Sequence, residues 1–567
     1  MIIGIDLGTT NSAAAVWRDG ASVLIPNRLG QVLTPSAVSI DESGTVLVGM
    51  AARERQASHP RQTVTAFKRY MGTARNTDLG GRRFSPEELS ALVLRSLKSD
   101  AEAFLGEPVR EAVITVPAYF NDKQRKATRR AGELAGLKVE RLVNEPTAAA
   151  LAYGIHNLAE ESRFLVFDLG GGTFDVSVLE IFEGVIEVRA STGDNRLGGE
   201  DFNEIIVAIL RERFGDGLGA WAKQDDAVYQ KLREHAERAR RELSGAAETM
   251  VRMVWGDREH EAVVTAEEFE EKAAPLIARL REPVLRALRD SELRPETLSE
   301  IVLIGGATRM PIVRKTVARM FGRFPNATVN PDEAVALGAA VQAGLKARDS
   351  ALKEVVLTDV CPFSLGVETA RPLPGGGYEE GIFVPVIERN TTVPASRSKI
   401  FETVQRNQTM VRVRIFQGES RSVHDNVGIG ELDVPVPRGP AGKAVECRFS
   451  YDINGLLEVD VVVPETGERR QLVIADPDVE VDPAELERRR QALAALKVHP
   501  RDQEANRTAL ARAERCWQDS LAEKREHVDM LIAQFKEALE TQDPRICAAA
   551  CETLNGELDR LEGASFL

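Results

Sequence analysis

The chain of 567 residues is too long for one hydrophobic core, so we expect three or four structural units. Its hydrophobic fraction of 43% and its charged fraction of 28% are typical of a soluble folded protein and not of a disordered one. The net charge of −14 argues against nucleic acid as the main partner, because phosphate backbones bind clustered Lys and Arg. A small nucleotide that arrives with magnesium remains compatible with this charge.

The sequence shows no sign of membrane insertion or export. No apolar run reaches the ~18 to 20 residues that a membrane helix needs, and Met1 leads straight into a strand pattern without a basic region and cleavage site. We therefore expect a cytoplasmic protein with no membrane partner. The cysteines lack CxxC spacing, and a metal shared by Cys547 and Cys551 would need a second ligand pair, so ordinary buried thiols are favoured.

The first part of the chain alternates between strand-like and helical patterns. Apolar runs such as "EAVITVPAYF" and "EIVLIGGATR" are separated by helical runs such as "YQKLREHAERARRELS". This alternation predicts an α/β domain over residues 1–350. The segment "ALKEVVLTDVCPFSLG" follows, in which a charged helix end gives way to a short extended run, and we expect a linker over residues 351–361.

The pattern then changes twice. From about Cys361 the helical period disappears, and alternating strands are separated by turn signals such as Asn454-Gly455, which predicts a β-sandwich over residues 362–478. Residues 479–567 return to a helical pattern, with Asp482 as the expected N-cap of the first helix. We expect a break in these helices at "HPRD", near His499.

Two loops near the start and the middle of the α/β region repeat one another. "MIIGIDLGTTNSAAAV" and "FLVFDLGGGTFDVSV" each contain an apolar run, an acidic residue, Leu-Gly, a cluster of Gly and Thr, and a second apolar run. Small residues let backbone N–H groups approach phosphate oxygens, and the equivalent carboxylates of Asp6 and Asp168 can face hydrated Mg²⁺. One such loop is often only a turn, but the repeat predicts two half-sites around one phosphate ligand.

A third glycine turn, "IVLIGGATRMP", also follows a strand and ends at Arg309. A planar guanidinium suits stacking on an adenine ring, although an ordinary strand-to-helix turn with a solvated Arg explains the same residues. The sequence GxxxxGK[ST] is absent, so the common P-loop is not the basis of phosphate binding here.

Seven segments together resemble the ATPase domain of the seventy-kilodalton heat-shock chaperone family: "GIDLGTTNS", "VITVPAYFNDKQRKAT", "RLVNEPTAAALAYG", "FDLGGGTFDVSV", "LGGEDF", "GGATRMP" and "NPDEAVALGAAVQA". The likeness continues through "TDVCPFSLGVET", "IERNTTVP" and "FQGE", so it covers almost the whole chain. It implies an actin-like (ribonuclease-H-like) two-lobed ATPase, a β-sandwich and a short helical lid, with one Asp-Leu-Gly loop in each lobe.

The resemblance also implies a function. We expect an ATP-dependent molecular chaperone that binds and releases extended hydrophobic segments of unfolded proteins, with hydrolysis to ADP and phosphate driving an interdomain switch. The implied cofactors are ATP/ADP, Mg²⁺ and K⁺. Unfolded client polypeptides and a J-domain co-chaperone are the implied partners.

Residues of the nucleotide site carry over by position. The matching catalytic residues are Lys68, Asp6, Glu145, Asp168, Thr173 and Asp175, and Asp6 and Asp168 would hold the metal through water. The matching nucleotide contacts are Gly8, Thr9, Thr10, Asn11, Gly170, Gly171, Gly172, Glu237, Arg240, Arg241, Ser244, Gly305, Gly306, Arg309 and Asp332. Without the resemblance, a Lys beside an Arg such as Lys68 would indicate a solvated face.

Coupling and client binding are assigned in the same way. Pro117, Arg125 and Glu145 match a relay of the nucleotide state, Asp359 matches the docking linker, and Arg141 matches a contact for J-domain partners. Turn chemistry alone explains Pro117 equally well. The matching client-pocket residues, each of which could also be ordinary core, are Val367, Ala370, Phe401, Val404, Val411 and Val413.

Three features depart from the common family pattern. The arch over the client is usually a Met opposite an Ala, whereas this chain has Ala370 and Val404, from which we expect an altered peptide preference or faster release. The segments after Lys68 and after Ser244 are shorter than is usual in the family, and exchange factors usually bind there. The resemblance therefore does not imply that this protein depends on an exchange factor. The short lid and the "EGASFL" ending resemble the specialised bacterial HscC branch.

Two other functions share the nucleotide fold. A sugar kinase would need a sugar-binding carboxylate between the lobes and would transfer the γ-phosphate to a sugar. An actin-like filament protein would sediment in a nucleotide-dependent way. Both leave the predicted β-sandwich and lid without a role.

Overall fold

The computed structural model describes residues 1–56, 58–154, 161–182, 185–221, 226–255, 258–326, 330–352, 356–374, 377–453, 455–474, 488, 490, 491, 493 and 496–563. The chain divides into two compact units, Met1–Pro362 and Phe363–Leu567. Asn454, Asp482, the boundary predicted near residue 479, residues 353–355 of the predicted linker and most of the "EGASFL" ending lie outside the described residues.

The first unit mixes strands and helices, as the sequence predicts. In chain order its elements are β1 (Ile2–Asp6), β2 (Asn11–Arg18), β3 (Ala21–Ile25), β4 (Thr34–Pro35), β5 (Ala37–Ile40), β6 (Val46–Val48), α1 (Met50–Arg53), β7 (Thr63–Thr65), β8 (Thr77–Leu79), β9 (Arg82–Phe84), α2 (Pro86–Leu105), β10 (Glu111–Val116), α3 (Asp122–Leu134), β11 (Lys138–Asn144), α4 (Glu145–Gly154), β12 (Ser162–Leu169), β13 (Phe174–Phe182), β14 (Val185–Asp194), α5 (Gly199–Trp221), α6 (Asp226–Glu242), β15 (Glu248–Trp255), β16 (Arg258–Thr265), α7 (Ala266–Asp290), β17 (Glu300–Ile304), α8 (Pro311–Phe321), α9 (Ala334–Lys346) and β18 (Val356–Val360).

The second unit begins with strands and ends with helices. Its elements are β19 (Leu365–Pro372), β20 (Tyr378–Ile387), β21 (Thr392–Val393), β22 (Ala395–Glu402), β23 (Met410–Gln417), β24 (Val427–Pro435), β25 (Ala444–Tyr451), β26 (Leu457–Val463), β27 (Glu468–Ile474), α10 (Glu504–Gln518), α11 (Ala522–Glu540) and α12 (Pro544–Gly563).

Two sheets of the first unit share a four-stranded arrangement. One has the order β11-β10-β1-β2-β3 and the other has the order β17-β12-β13-β14-β18, so β10-β1-β2-β3 corresponds to β17-β12-β13-β14. In each, the strand that carries the acidic residue of the repeat, β1 or β12, pairs antiparallel with the next strand and parallel with a later one, β10 or β17. The repeated sequence therefore corresponds to a repeated arrangement of strands, and its two loops leave equivalent strand ends.

Helix α9 packs tightly against both β1 and α4. Its sequence is rich in Ala and Gly, and a Cβ added at Gly338 would lie 1.6 Å from the carbonyl oxygen of Ala148 in α4. A Cβ at Gly4 in β1 would lie 2.2 Å from the backbone nitrogen of Ala340. Small residues at these crossings let the backbones approach to distances that any larger side chain would prevent.

The second unit contains two four-stranded antiparallel sheets followed by packed helices. The sheet orders are β20-β19-β23-β24 and β22-β25-β26-β27. Helices α10, α11 and α12 share a small core that includes Ala513, Val528, Phe535 and Leu558. At "HPRD" the ring nitrogen Nδ1 of His499 accepts a hydrogen bond from the backbone N–H of Arg501, which confirms the turn predicted there.

Within the residues that the structure describes, no helix combines the length and the apolar character that crossing a bilayer requires. Four of the cysteines are buried free thiols, namely Cys361, Cys447, Cys516 and Cys547, and Cys551 is a half-buried one.

Candidate active site

A cavity of about 380 Å³ lies where the Asp-Leu-Gly loops of the two repeated sheets meet. Most of the predicted nucleotide residues line it: Asp6, Gly8, Thr9, Thr10, Asn11, Lys68, Glu145, Asp168, Gly170, Gly171, Thr173, Glu237, Arg240, Arg241, Ser244, Gly305, Gly306, Arg309 and Asp332. Gly172 and Asp175 are not part of this lining. The cavity is large enough for a small molecule of nucleotide size.

The glycines of the two loops are required by how closely the loops approach each other. A Cβ on Gly171 would lie 2.0 Å from the hydroxyl oxygen of Thr10, and a Cβ on Gly172 would lie 2.9 Å from the Thr9 methyl group. The third turn is equally close, because Gly305, with a φ of +81°, would place a Cβ 2.4 Å from the carbonyl oxygen of Leu169. Only glycine lets the three loops lie this close to one another around the cavity.

Lys68 and the carboxyl groups of Asp6, Glu145 and Asp168 line the cavity together, and a fourth carboxyl group, that of the buried Asp175, lies opposite Asp168 in the pairing of β12 with β13. Lys68, 2% exposed, lies in the 3₁₀ turn Phe67–Tyr70 and places its Nζ 2.6 Å from Oε1 of Glu145. Asp6 accepts a hydrogen bond from the Thr115 hydroxyl at 3.1 Å. Asp175 accepts one from the backbone N–H of Tyr119 at 3.0 Å.

The three aspartates of this set have raised pKa values. Burial, and then the charge of Glu145, raises the pKa of Asp6 to about 7 and that of Asp175 to about 8. The same two causes hold the pKa of Asp168 well above its usual value. One lysine does not balance this much buried acid, so the set suits a divalent cation. The described residues contain no group of three or more His, Cys, Asp or Glu side chains placed to hold a metal directly.

Helix α6 and the third glycine turn supply the other side of the cavity. Arg240 donates from Nε to Oδ1 of Asn203 at 2.7 Å. Arg309 donates to a carboxylate oxygen of Asp332 at 2.7 Å and to Oδ1 of Asn330 at 2.8 Å. The Arg309 guanidinium is therefore oriented by two partners and is not a freely solvated side chain.

An ion pair that the sequence analysis did not predict joins α1 to α6 beside the cavity. Nη2 of Arg53, in α1, lies 3.0 Å from both carboxylate oxygens of Glu237, in α6. Burial would raise the pKa of Glu237, but Arg53, followed by Arg241 and Arg240, lowers it below its usual value. Arg69 and Asp201 form a second such pair at 3.0 Å. No local pattern could have indicated these pairs, whose members are far apart in sequence.

Three of the predicted relay residues, Arg125, Glu145 and Asp359, are connected through Asn144. Arg125 donates to Oδ1 of Asn144 at 2.6 Å, and Nδ2 of Asn144 donates to both carboxylate oxygens of Asp359 at 3.1 and 3.0 Å. Asn144 directly precedes Glu145, the partner of Lys68. Contacts therefore run from the cavity to β18. Asn144 stands inside the "RLVNEP" segment, which was the available signal for it.

The remaining predicted relay residues lie close to this network. Arg125 also donates to the carbonyl oxygens of Ala118 and Phe120, in the loop that follows β10 and contains Pro117. Arg141 lies on β11, opposite Val113 of β10. Burial raises the pKa of Asp359, while its hydrogen bond from the backbone N–H of Val360 and the nearby Arg141 and Arg125 lower it by a smaller amount.

The predicted client residues are spread over both sheets of the second unit. Val367 on β19 and Val413 on β23 are buried, whereas Val411 on β23 and Phe401 on β22 are half-buried. Ala370 lies at an irregularity in the pairing of β19 with β20, between Thr369 and Arg371. Val404 lies in the turn that follows β22.

A family comparison agrees with these arrangements. The family model described as Hsp70 protein matches residues 2–79 and 74–566, which is nearly the whole chain. Proteins of that family are ATPases and ATP-dependent chaperones that bind ATP and ADP with Mg²⁺, unfolded polypeptides and J-domain co-chaperones. The chain therefore belongs to the Hsp70 family.

Proposed function

We propose that this protein hydrolyses ATP to ADP and phosphate in the cavity of its first unit and thereby controls the binding of extended apolar segments by its second unit. The observation that carries this proposal is the meeting of two Asp-Leu-Gly loops beside the buried Lys68 and Glu145 pair. Phosphoryl transfer to water needs positioning and charge stabilisation, and it needs no covalent intermediate.

Each group has a distinct role in this mechanism. Backbone N–H groups of the loops around Gly8 and Gly171 bind the phosphates, and Thr173 lies near the terminal one. Asp6 and Asp168 hold hydrated Mg²⁺, which when bound neutralises phosphate charge; Asp175 and K⁺ add to this electrostatic balance. Lys68 orients the attacking water and offsets charge on the γ-phosphate, while Glu145 fixes the position of its ammonium group.

The nucleotide state is passed on through Asn144 and Asp359. Because Asn144 adjoins Glu145 and binds Asp359, a shift of Glu145 when nucleotide binds changes the contacts of β18. Arg141 is the proposed J-domain contact, and the short segments after Lys68 and Ser244 suit exchange without a dedicated factor. These traits, with a cytoplasmic location, suit a specialised chaperone similar to the HscC branch.

Single-turnover ATP hydrolysis with and without a short unfolded apolar peptide tests the proposal. We expect the peptide to accelerate hydrolysis, and a peptide of equal length with Ser in place of its apolar residues to leave the rate unchanged. Acceleration by both peptides, or by neither in the presence of a J-domain protein, would contradict coupled client binding. Transfer of the γ-phosphate to a sugar would instead identify a kinase.

A further inference from the structure

A tyrosine hydroxyl forms a hydrogen bond between the two sheets of the second unit. Tyr378 is the first residue of β20, its side chain is 43% exposed, and its hydroxyl donates a hydrogen bond to the carbonyl oxygen of Val404 at 2.8 Å. Strand β20 belongs to one sheet, whereas Val404 follows β22 of the other sheet. This hydrogen bond therefore connects a hairpin of one sheet to a turn of the other.

The turn that carries Val404 is held in place by several hydrogen bonds. The backbone N–H of Thr403 donates to the carbonyl oxygen of Lys443 at 3.0 Å, and the N–H of Gly442 donates to that of Thr403 at 2.8 Å. Oε1 of Gln408 accepts from the N–H of Val404 at 3.2 Å. The Val404 carbonyl oxygen is consequently a fixed acceptor.

The hairpin that carries Tyr378 has fewer strand partners towards its end. Strand β19 pairs with β23 only over residues 365–367 of the described ladder, whereas it pairs with β20 as far as Pro372 and Tyr378. Beyond Val367 this two-stranded part of the hairpin, the arm, is held by Arg421, whose side chain donates to Glu379 at 2.8 Å and whose carbonyl oxygen accepts from the N–H of Phe383 at 2.8 Å. The exposed Tyr378 side chain can therefore leave Val404 by rotation about its own bonds, without movement of the arm.

The arm and the turn are the two places where the sequence puts the arch over the client. Ala370 extends only one carbon beyond the backbone and cannot bridge to Val404, whereas a tyrosine ring and hydroxyl do bridge to it. We propose that Tyr378 is the gate of the client site, closing over an extended apolar polypeptide by its bond to the Val404 carbonyl oxygen. This inference rests on the proposed function of the second unit as the client-binding part.

A gate and a direct client contact have different kinetic signatures. A gate bond must break before a client enters and again before it leaves, so weakening it raises the association and dissociation rate constants together. A lost contact with the client raises the dissociation rate constant alone. The two rate constants therefore distinguish the roles, even though both make release faster.

The test is Tyr378→Phe in the full-length protein with ADP, using a fluorescently labelled Leu-rich heptapeptide in stopped flow. Phe keeps the ring and removes one neutral hydrogen bond, so we expect both rate constants to rise roughly twofold to tenfold, with Kd nearly unchanged. Tyr451→Phe is the matched control, because Tyr451 pairs with Ala395 at the opposite end of β22. Its rate constants should equal those of the parent.

Three results would overturn the gate. A rise in the dissociation rate constant alone would make Tyr378 an ordinary client contact, and no change in either would leave its hydroxyl without a role in binding. Equal changes in Tyr451→Phe would indicate a general loss of stability, which a thermal melt of each variant measures directly. A parent protein that binds no peptide would overturn the proposed client binding itself, and the gate with it.

Discussion

Lys68 shows how the role of one residue depends on its surroundings. Its sequence neighbourhood, "TAFKRYMG", contains adjacent Lys and Arg and by itself indicates a solvated surface. In the folded protein Lys68 is buried, at 2.6 Å from Glu145 and near three further carboxyl groups. Burial of a lysine costs desolvation free energy, which the neighbouring carboxylates offset. Its position therefore indicates that its charge has a role in the site.

We predict that Lys68→Ala reduces single-turnover ATP hydrolysis by about 100-fold or more, since removing one preorganised charged group at a reacting centre costs this much. ATP binding should persist, because the loop N–H groups remain. Hydrolysis and equilibrium binding of a fluorescent nucleotide are the measurements. Lys315→Ala, which removes a half-exposed lysine paired with Glu270, is the control and should behave as the parent. Normal turnover in Lys68→Ala would refute the assignment.

At the scale of elements, α9 packs closely against α4 because a glycine lies where the two helices cross. The carbonyl oxygen of Ala148 occupies the space that a Cβ on Gly338 would need. We predict that Gly338→Ala lowers the free energy of unfolding by about 1 to 3 kcal/mol or more, as overpacking does in cores. The shift of the urea midpoint, followed by circular dichroism, measures it.

Gly556 offers a matched comparison in α12. A Cβ added there meets no atom within 4 Å, so Gly556→Ala should raise the free energy of unfolding by about 0.5 to 1 kcal/mol through helix propensity alone. If both substitutions shift the urea midpoint in the same direction, close packing of α9 is not the reason for Gly338.

Strand β26 carries two buried carboxylates on one face. Glu458 and Asp460 are 1% and 2% exposed, and Nζ of Lys497 lies 2.7 Å from the first and 2.5 Å from the second. Nε of Arg490 lies 3.2 Å from Glu458. This cluster attaches Arg490 and Lys497 to the sheet, within the second unit.

We predict that Lys497→Met lowers the free energy of unfolding by about 3 to 5 kcal/mol, because it leaves buried carboxylates without their main partner. Adding Glu458→Gln and Asp460→Asn to this variant should recover most of the loss. Thermal unfolding of the three proteins measures both effects. Arg412→Met, which breaks the exposed pair with Asp433, should leave the unfolding temperature nearly unchanged. An equal loss in Arg412→Met would contradict the role of burial.

At the scale of the whole molecule, the proposed function assigns β18 to the coupling between ATP hydrolysis and client binding. This strand pairs with β14 and contains Asp359, whose carboxylate is held by Asn144. We predict that Asp359→Ala abolishes the acceleration of hydrolysis by peptide while hydrolysis without peptide and peptide affinity stay within about threefold of the parent. Single-turnover rates with and without peptide, and a peptide titration, are the measurements.

Asp433→Ala is the control for this experiment, since it removes an exposed carboxylate of the second unit that pairs only with Arg412 among the described residues. It should preserve the acceleration. Retained acceleration in Asp359→Ala would exclude the Asn144 to Asp359 contact as the route of coupling.

Local pattern was sufficient for much of this protein. The alternation of strands and helices, the change to strands after Cys361 and the repeated loops at Asp6 and Asp168 are short-range features, and they predicted the order of elements and the glycine loops of the cavity. The family resemblance was needed to predict Lys68, Glu145 and the lining residues of α6. Strand period, glycine in tight turns and helix period are properties of neighbouring residues, so a single chain displays them.

Other features exist only in the folded chain. Arg53 and Glu237 are 184 residues apart in sequence, and Asn144 and Asp359 are 215 residues apart. Tyr378 and Val404 belong to segments of different sheets. Nothing in the neighbourhood of any of these residues specifies its partner. The sequence by itself determined the types and order of the elements and the repeated glycine loops. The tertiary structure decided which charges are buried, how they are paired and which hydrogen bonds join the sheets, because these depend on distances between segments that only packing brings together.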